Sequence, residues 1–242
     1  MYAIETVNLT KRYGEITAVN GVELKIVGGE IFSLLGVNGA GKTTTVKMLS
    51  GLTKPTEGEI FIEGKSSLSD TETIKKIVSL SPQETAVAPN LTVRENLDFI
   101  LGIHGVQRRE RVEKIKGISA KLRLGEVMER RAGKLSGGWQ RRLSIAMALI
   151  SEPRILFLDE PTLGLDVIAR SELWDIIRAL RGKVTVIMTT HYMEEAEALS
   201  DRIGIMNKGK ILTVGTPREL MEKTGTSSVE DAFLTVVKGV ME

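Results

Sequence analysis

Cysteine is absent from all 242 residues, which removes both a disulfide framework and a thiolate metal site and makes a reducing cytosol the natural setting. No secretory leader is expected either. Met1 to Gly14 mixes Glu5, Lys11 and Arg12 with apolar residues and has no continuous apolar core of the kind a signal peptide needs. Apolar runs such as Ile145 to Ile150 fall far short of the roughly 20 residues that span a bilayer, so any membrane role is expected to be borrowed from another chain. There is no internal repeat, no low-complexity tract and no sustained heptad pattern. Net charge is nearly lacking too: 33 basic against 31 acidic residues leave +2, which neither demands nucleic acid nor excludes it.

The charge that is present is unevenly spread. His104 to Arg142 holds 12 basic and 4 acidic residues, a local balance of +8, which leaves −6 on the remainder. Solvated helix faces account for such a lobe, and so does a surface near anionic lipid or an acidic partner. With 42% hydrophobic residues, a chain of this length can bury a substantial core, as one large domain or as one domain with an inserted subdomain.

Short strands are expected at Ala3 to Val7, Val22 to Ile26 and, after the turn Gly28-Gly29, Ile31 to Leu35. The third runs straight into a glycine-rich loop and then a helix from Lys42 to Ser50, closed by Gly51 and kept from extending by Pro55. The region 88–150 reads as helical and basic, opening with the capping box Thr92 to Glu95. After Pro153 strands and helices alternate: Ile155 to Leu158, a helix with Ala169, Leu173, Ile177 and Leu180 on one face, then Val184 to Thr189. That alternation predicts a mostly parallel sheet with helices on its faces. Thr216 to Glu219 and Ser227 to Glu230 each predict the start of a short helix.

Gly36 to Thr43 satisfies the phosphate-loop pattern G-x-x-x-x-G-K-[ST], between an expected strand and an expected helix. Glycines at 36, 39 and 41 allow positive φ, so that successive N–H groups can turn inward around an anion. Lys42 can reach the outer phosphates, and Thr43 offers a hydroxyl to Mg2+. Ile155 to Leu158 delivers Asp159 and Glu160 to the carboxyl end of a buried strand, where Asp159 can bind the metal and Glu160 can orient or deprotonate a water. Ser136-Gly137-Gly138, at the mouth of another helix, is a second anion site; a plain N-cap reading would satisfy the serine but leaves the glycine pair unexplained.

Taken together, the phosphate loop, Leu135-Ser136-Gly137-Gly138 and Asp159-Glu160 resemble an ABC-type ATPase, over nearly the whole chain. The resemblance implies an α/β fold: a P-loop NTPase (RecA-like) core with an N-terminal antiparallel β subdomain, 1–87 and 151–242, and an inserted α-helical subdomain, 88–150. It implies ATP and Mg2+ as ligands. Gly36, Val37, Asn38, Gly39, Ala40, Gly41, Lys42, Thr43 and Thr44 would cradle the phosphates, with Tyr13 stacked on adenine. Ser136, Gly137, Gly138 and Asp166 would close on the nucleotide from a second subunit. Thr43, Gln83 and Asp159 match the metal ligands, while Glu160, His191, Gln83 and Lys42 match the catalytic groups. Gln83 resembles the family's glutamine loop, Pro161 to Asp166 its interface loop and His191 its switch histidine.

The resemblance further implies a homodimer or paired ATPase subunit, separately encoded transmembrane permease subunits, and a cytoplasmic position on the inner face of the membrane. No nucleic acid is expected; an ABC ATPase acting on nucleic acid or ribosomes is the alternative. Details such as Asn90 to Asn96 and Thr190 to Ala196 are similar to ABC-2 type exporters of drugs, lipids, polysaccharides or ions. Two positions depart from the pattern: Trp139 stands where glutamine is usual, and Leu163 where serine is.

Overall fold

The computed structural model describes residues 1–239, so the last three residues of the expected segment 151–242 lie outside the described residues. β1 (Tyr2–Tyr13) and β2 (Ile16–Val27) pair antiparallel, β3 (Ile31–Leu35) leaves for a second sheet, and β4 (Glu57–Ile62) and β5 (Lys65–Ser66) return to the first. The first sheet therefore has the order β2-β1-β4-β5. Both opening strands outrun their expected lengths, β1 continuing through a bulge. Asn8 sits at φ 49, a left-handed conformation that asparagine tolerates, and the pairing shifts register between Thr6 and Leu9. Gly58, at φ 84, accommodates it: a Cβ there would lie 2.2 Å from Asn8 O.

The second sheet also contains β6 (Val78–Ser81), β7 (Ile155–Asp159), β8 (Thr185–Thr190), β9 (Arg202–Asn207) and β10 (Lys210–Gly215), in the order β10-β9-β3-β8-β7-β6. All of its pairings are parallel except β10 with β9. Every residue of β3, β7 and β8 is buried, as continuous apolar strands covered on both faces require. The sequence reading named neither β4, β5, β6 nor the β9–β10 hairpin. That hairpin turns at Lys208 and Gly209, φ 46 and 78, the positive pair of a type I′ turn.

Helix α1 (Lys42–Leu49) packs with Val46, Met48 and Leu49 among Ile4, Leu24 and Ile60 of the first sheet and Phe32, Phe157 and Ile187 of the second, which joins the two sheets through one core. A short α2 (Thr71–Ile74) follows β5. α3 (Val93–Ile103), α4 (Arg108–Lys121) and α5 (Gly137–Leu149) all fall within 88–150, and the Thr92–Glu95 capping box is formed. α6 (Val167–Arg178) and α7 (Met193–Leu199) cover the parallel sheet, and α8 (Pro217–Thr224) and α9 (Val229–Lys238) close the chain's end. The cap of α9 is Ser228 bonded to Asp231 N, one residue later than the expected Ser227–Glu230 pair.

The order of the central strands decides where chemistry can occur. β3, β8, β7 and β6 are successive neighbours and parallel, so the residues after Leu35, Thr190, Asp159 and Ser81 emerge on one sheet edge. Ligands of open α/β sheets bind at that edge.

Candidate nucleotide site

The loop after β3 is shaped by two different glycine requirements. Gly39 and Gly41 have φ 80 and 105, and a Cβ on Gly41 would lie 2.5 Å from Ala18 O. Gly36 does not adopt positive φ, contrary to expectation; it is required by close approach, because its Cβ would lie 2.4 Å from Met206 O. The N–H groups of Asn38, Gly39, Gly41, Lys42, Thr43 and Thr44 have no acceptor among the described residues. All six residues line one cleft of about 700 Å3, which makes it a cradle of donors at a helix N-terminus. Lys42 is 5% exposed and donates from Nζ to Gly36 O (2.7 Å) and Val37 O (3.3 Å).

The end of β7 supplies the carboxylates. Thr43 Oγ1 donates to Asp159 Oδ1 at 3.1 Å, and Thr189 Oγ1 donates to the same oxygen at 2.5 Å while accepting from Glu160 N at 3.0 Å. Glu160 stands at φ 48, a conformation that costs about 1–3 kcal/mol outside glycine and marks a constrained position. Its carboxylate is held from two sides. Lys42 Nζ lies 3.3 Å from Oε1, and His191, with its proton on Nδ1, donates to Oε2 at 2.7 Å.

The same cleft is lined by Tyr13, Ala40, Gln83, Leu163 and Lys208. Tyr13 is half exposed at the end of β1, with Lys11 Nζ 5.2 Å from its ring centroid. Val37 is exposed beside the cleft and meets Lys42 through its carbonyl. Sequence reasoning missed Thr189 and Lys208. Thr189, two residues before His191, could have been suspected as a hydroxyl at a strand's carboxyl end; Lys208 carried no signal beyond its place in the Asn207-Lys-Gly turn.

Ser136, Gly138 and Asp166 do not line this cleft. They meet in a second one of about 450 Å3, together with Trp139, Arg142, Ile168 and Glu172. Ser136 is the N-cap of α5, yet its side chain makes no cap hydrogen bond, so the hydroxyl is left exposed and free to bind outward. Gly137 opens onto empty space, whereas Gly138 packs so close to α6 that a Cβ would lie 3.0 Å from Ala169 Cβ. Asp166 caps α6, accepting from Ala169 N at 2.9 Å. Trp139 stacks 4.7 Å from the Arg142 guanidinium, which also pairs with Glu172. Leu163, which lines the first cleft, Ile168, which lines the second, and Val167 are exposed apolar residues.

The donor set decides the ligand class. A ring of amide donors with a buried lysine suits a polyphosphate. Thr43 and Asp159 supply hard oxygen donors side by side, as suits Mg2+ held by few protein ligands and by the phosphates themselves. Fold and site together define a phosphate-loop nucleotide-binding domain of the α/β class.

The sequence model of the ABC transporter family, described as "ABC transporter", matches residues 19–163. The chain is 42% identical over 217 residues to the Nod factor export ATP-binding protein I of Burkholderia lata, covering 89% of this chain and 71% of that protein. It is 38% identical over 240 residues to the "Probable multidrug ABC transporter ATP-binding protein YbhF" of Escherichia coli (strain K12), covering 97% of this chain but spanning only 41% of that relative's length. A solved structure described as the ATP binding subunit of an ABC transporter superposes with a TM-score of 0.86 at 26% identity, over 97% of this chain and 99% of the other. The chain belongs to the ABC transporter family, whose ATP-binding subunits hydrolyse ATP to power transport and work with transmembrane permeases.

Proposed function

We propose that this chain hydrolyses ATP as one of a pair of subunits and so drives a separately encoded permease of the ABC-2 export type. The observation that carries the reading is the separation of the two clefts. Lys42, Glu160 and His191 line one, and Ser136 and Asp166 line another, so neither cleft holds the full set of groups expected around a triphosphate. A second copy placed head to tail brings the Ser136 face of one against the Lys42 face of the other. Exposed Leu163, Val167 and Ile168 supply the apolar surface such a contact would cover.

In this reading Gly36 to Thr44 hold the phosphates, Tyr13 stacks on the adenine, and Ser136, Gly137, Gly138 and Asp166 approach from the partner copy. Thr43, Gln83 and Asp159 would hold Mg2+, which when bound neutralises charge on the phosphates. Glu160 accepts the proton of the attacking water, and His191 fixes the orientation of that carboxylate through its Nδ1 donor. Two shared nucleotides join the subunits and hydrolysis separates them, a shift between closed and open pairs.

No helix among the described residues is long and apolar enough to cross a membrane. The reading therefore places the chain peripherally on the inner face, bound through its permease. The names of its relatives, a Nod factor export ATP-binding protein and a probable multidrug transporter ATP-binding protein, support export, with drugs among the candidate cargoes. Glu160→Gln incubated with ATP is expected to elute as a dimer in size-exclusion chromatography. A wild-type monomer that hydrolyses ATP at full rate, with a variant that never dimerises, would end the reading.

A further inference from the structure

Helix α5, which begins after Ser136, is fastened along β6 and the loop that follows it. Ser144 Oγ lies 2.8 Å from Ser81 Oγ, and Ser151, two residues past the end of α5, lies with its Oγ 3.1 Å from Ser79 Oγ. Beyond them Arg141 donates from Nη1 to Pro82 O at 2.6 Å and from Nη2 to Gln83 O at 2.5 Å. Arg141 is 5% exposed, so its charge has left water and depends on these acceptors. Burial pulls its pKa down, while the charge of Asp159 pushes it back up. The planar fork of a guanidinium can grip two successive carbonyls at once; a lysine ammonium, a single point donor, holds that geometry poorly.

The consequence reaches both clefts. Gln83 lines the phosphate cleft, and Ser136 lines the second, at the N-terminus of the helix that grips the Gln83 backbone. We propose that Arg141 is a positioning residue that ties the Gln83 segment to α5, so that Gln83 and Ser136 keep a fixed spacing throughout turnover. The proposal rests on the ATPase reading for its kinetic test but not for its structural one.

Two measurements test it. The chain has no cysteine, so Ser81→Cys with Ser144→Cys gives a single engineered pair. The oxidised protein is expected to keep at least about half the ATPase rate of the reduced protein if the two segments stay joined. A block relieved by reductant overturns the fixed spacing. Arg141→Lys is expected to lower kcat on the order of tenfold with KM within about twofold, and to add nothing further in a Gln83→Ala background. Losses that multiply instead assign Arg141 a merely structural role and overturn the proposal. Limited proteolysis needs no turnover, which separates this idea from the ATPase reading. In Arg141→Lys, cleavage by a glutamate-specific protease after exposed Glu84 is expected to speed about tenfold while cleavage elsewhere in the chain is unchanged. Unchanged cleavage after Glu84 overturns the clamp even in a protein that hydrolyses nothing.

Discussion

Lys42 and Glu160 form a buried ion pair, Nζ to Oε1 3.3 Å, with side chains only 5% and 7% exposed. The residue that would hold phosphate and the residue that would activate water are thus each other's counter-ion. In the proposed reading, a polyphosphate bound by Lys42 would compete for its charge and free the Glu160 carboxylate to face a water. Glu160→Gln keeps the shape and removes the proton acceptor. Hydrolysis is expected to fall by about 10²–10⁴-fold, while nucleotide affinity is kept or rises because Lys42 loses its internal competitor. Phosphate release and binding of a fluorescent ATP analogue read the two effects separately; equal losses in both would contradict this division of labour.

Removing the other partner has a different cost. Lys42→Met leaves the Glu160 carboxylate buried with only His191 beside it, and urea unfolding is expected to show a loss of about 3 kcal/mol. Adding Glu160→Gln removes the orphaned charge, so the double variant should recover most of that loss. Strictly additive losses would mean that the pair is not coupled.

Ser136 offers a separation of structure from function that few N-caps allow. Since its hydroxyl makes no cap bond, Ser136→Ala should leave the unfolding free energy within about 0.5 kcal/mol of wild type, where an ordinary cap loss is about 1 kcal/mol. ATPase activity is nevertheless expected to fall on the order of a hundredfold, the loss typical of one preorganised donor to developing charge. A variant that melts early but turns over normally would return Ser136 to a capping role.

The pattern of what the sequence disclosed follows from locality. The phosphate loop and Asp159-Glu160 are contiguous motifs at the ends of short, fully buried and mostly apolar strands, so chain position and chemistry were legible together. Asn8 was not, because a bulge is made by what opposes it, and Gly58 lies fifty residues away. Gly36 shows the same limit within a motif. Its need for glycine comes from Met206 O on β9, a strand the sequence reading did not name, rather than from its own φ. Likewise the two carbonyls that Arg141 grips could not be inferred from the Ser136 motif, since hydrogen bonds to backbone leave no mark in the partner's side chain.

Glu195 supplies the pH test. It is 1% exposed behind Glu160, accepts from Trp174 Nε1 at 3.2 Å and neighbours the hydroxyls of Thr162 and Thr190, although its Oε2 and Thr162 Oγ1 make no hydrogen bond. Burial raises its pKa above the ordinary 4.5; the hydroxyls and Trp174 pull it down and the charge of Glu160 adds to the rise. Below pH 4.5 the carboxyl is protonated in folded and unfolded chains alike and contributes nothing to pH dependence. Above it the unfolded chain gives up the proton while the folded chain keeps it, so stability falls as pH rises through the window up to the folded pKa. Glu195→Gln keeps a neutral group whose amide can donate toward the two threonine hydroxyls, and it has no proton to lose. The variant's thermal midpoint is therefore expected to pull ahead of wild type as pH rises from about 4.5, the gap growing until the folded carboxyl also gives up its proton and staying level above that. A gap that does not change as pH rises from about 4.5, or that shrinks, would show that burial does not hold the proton on Glu195.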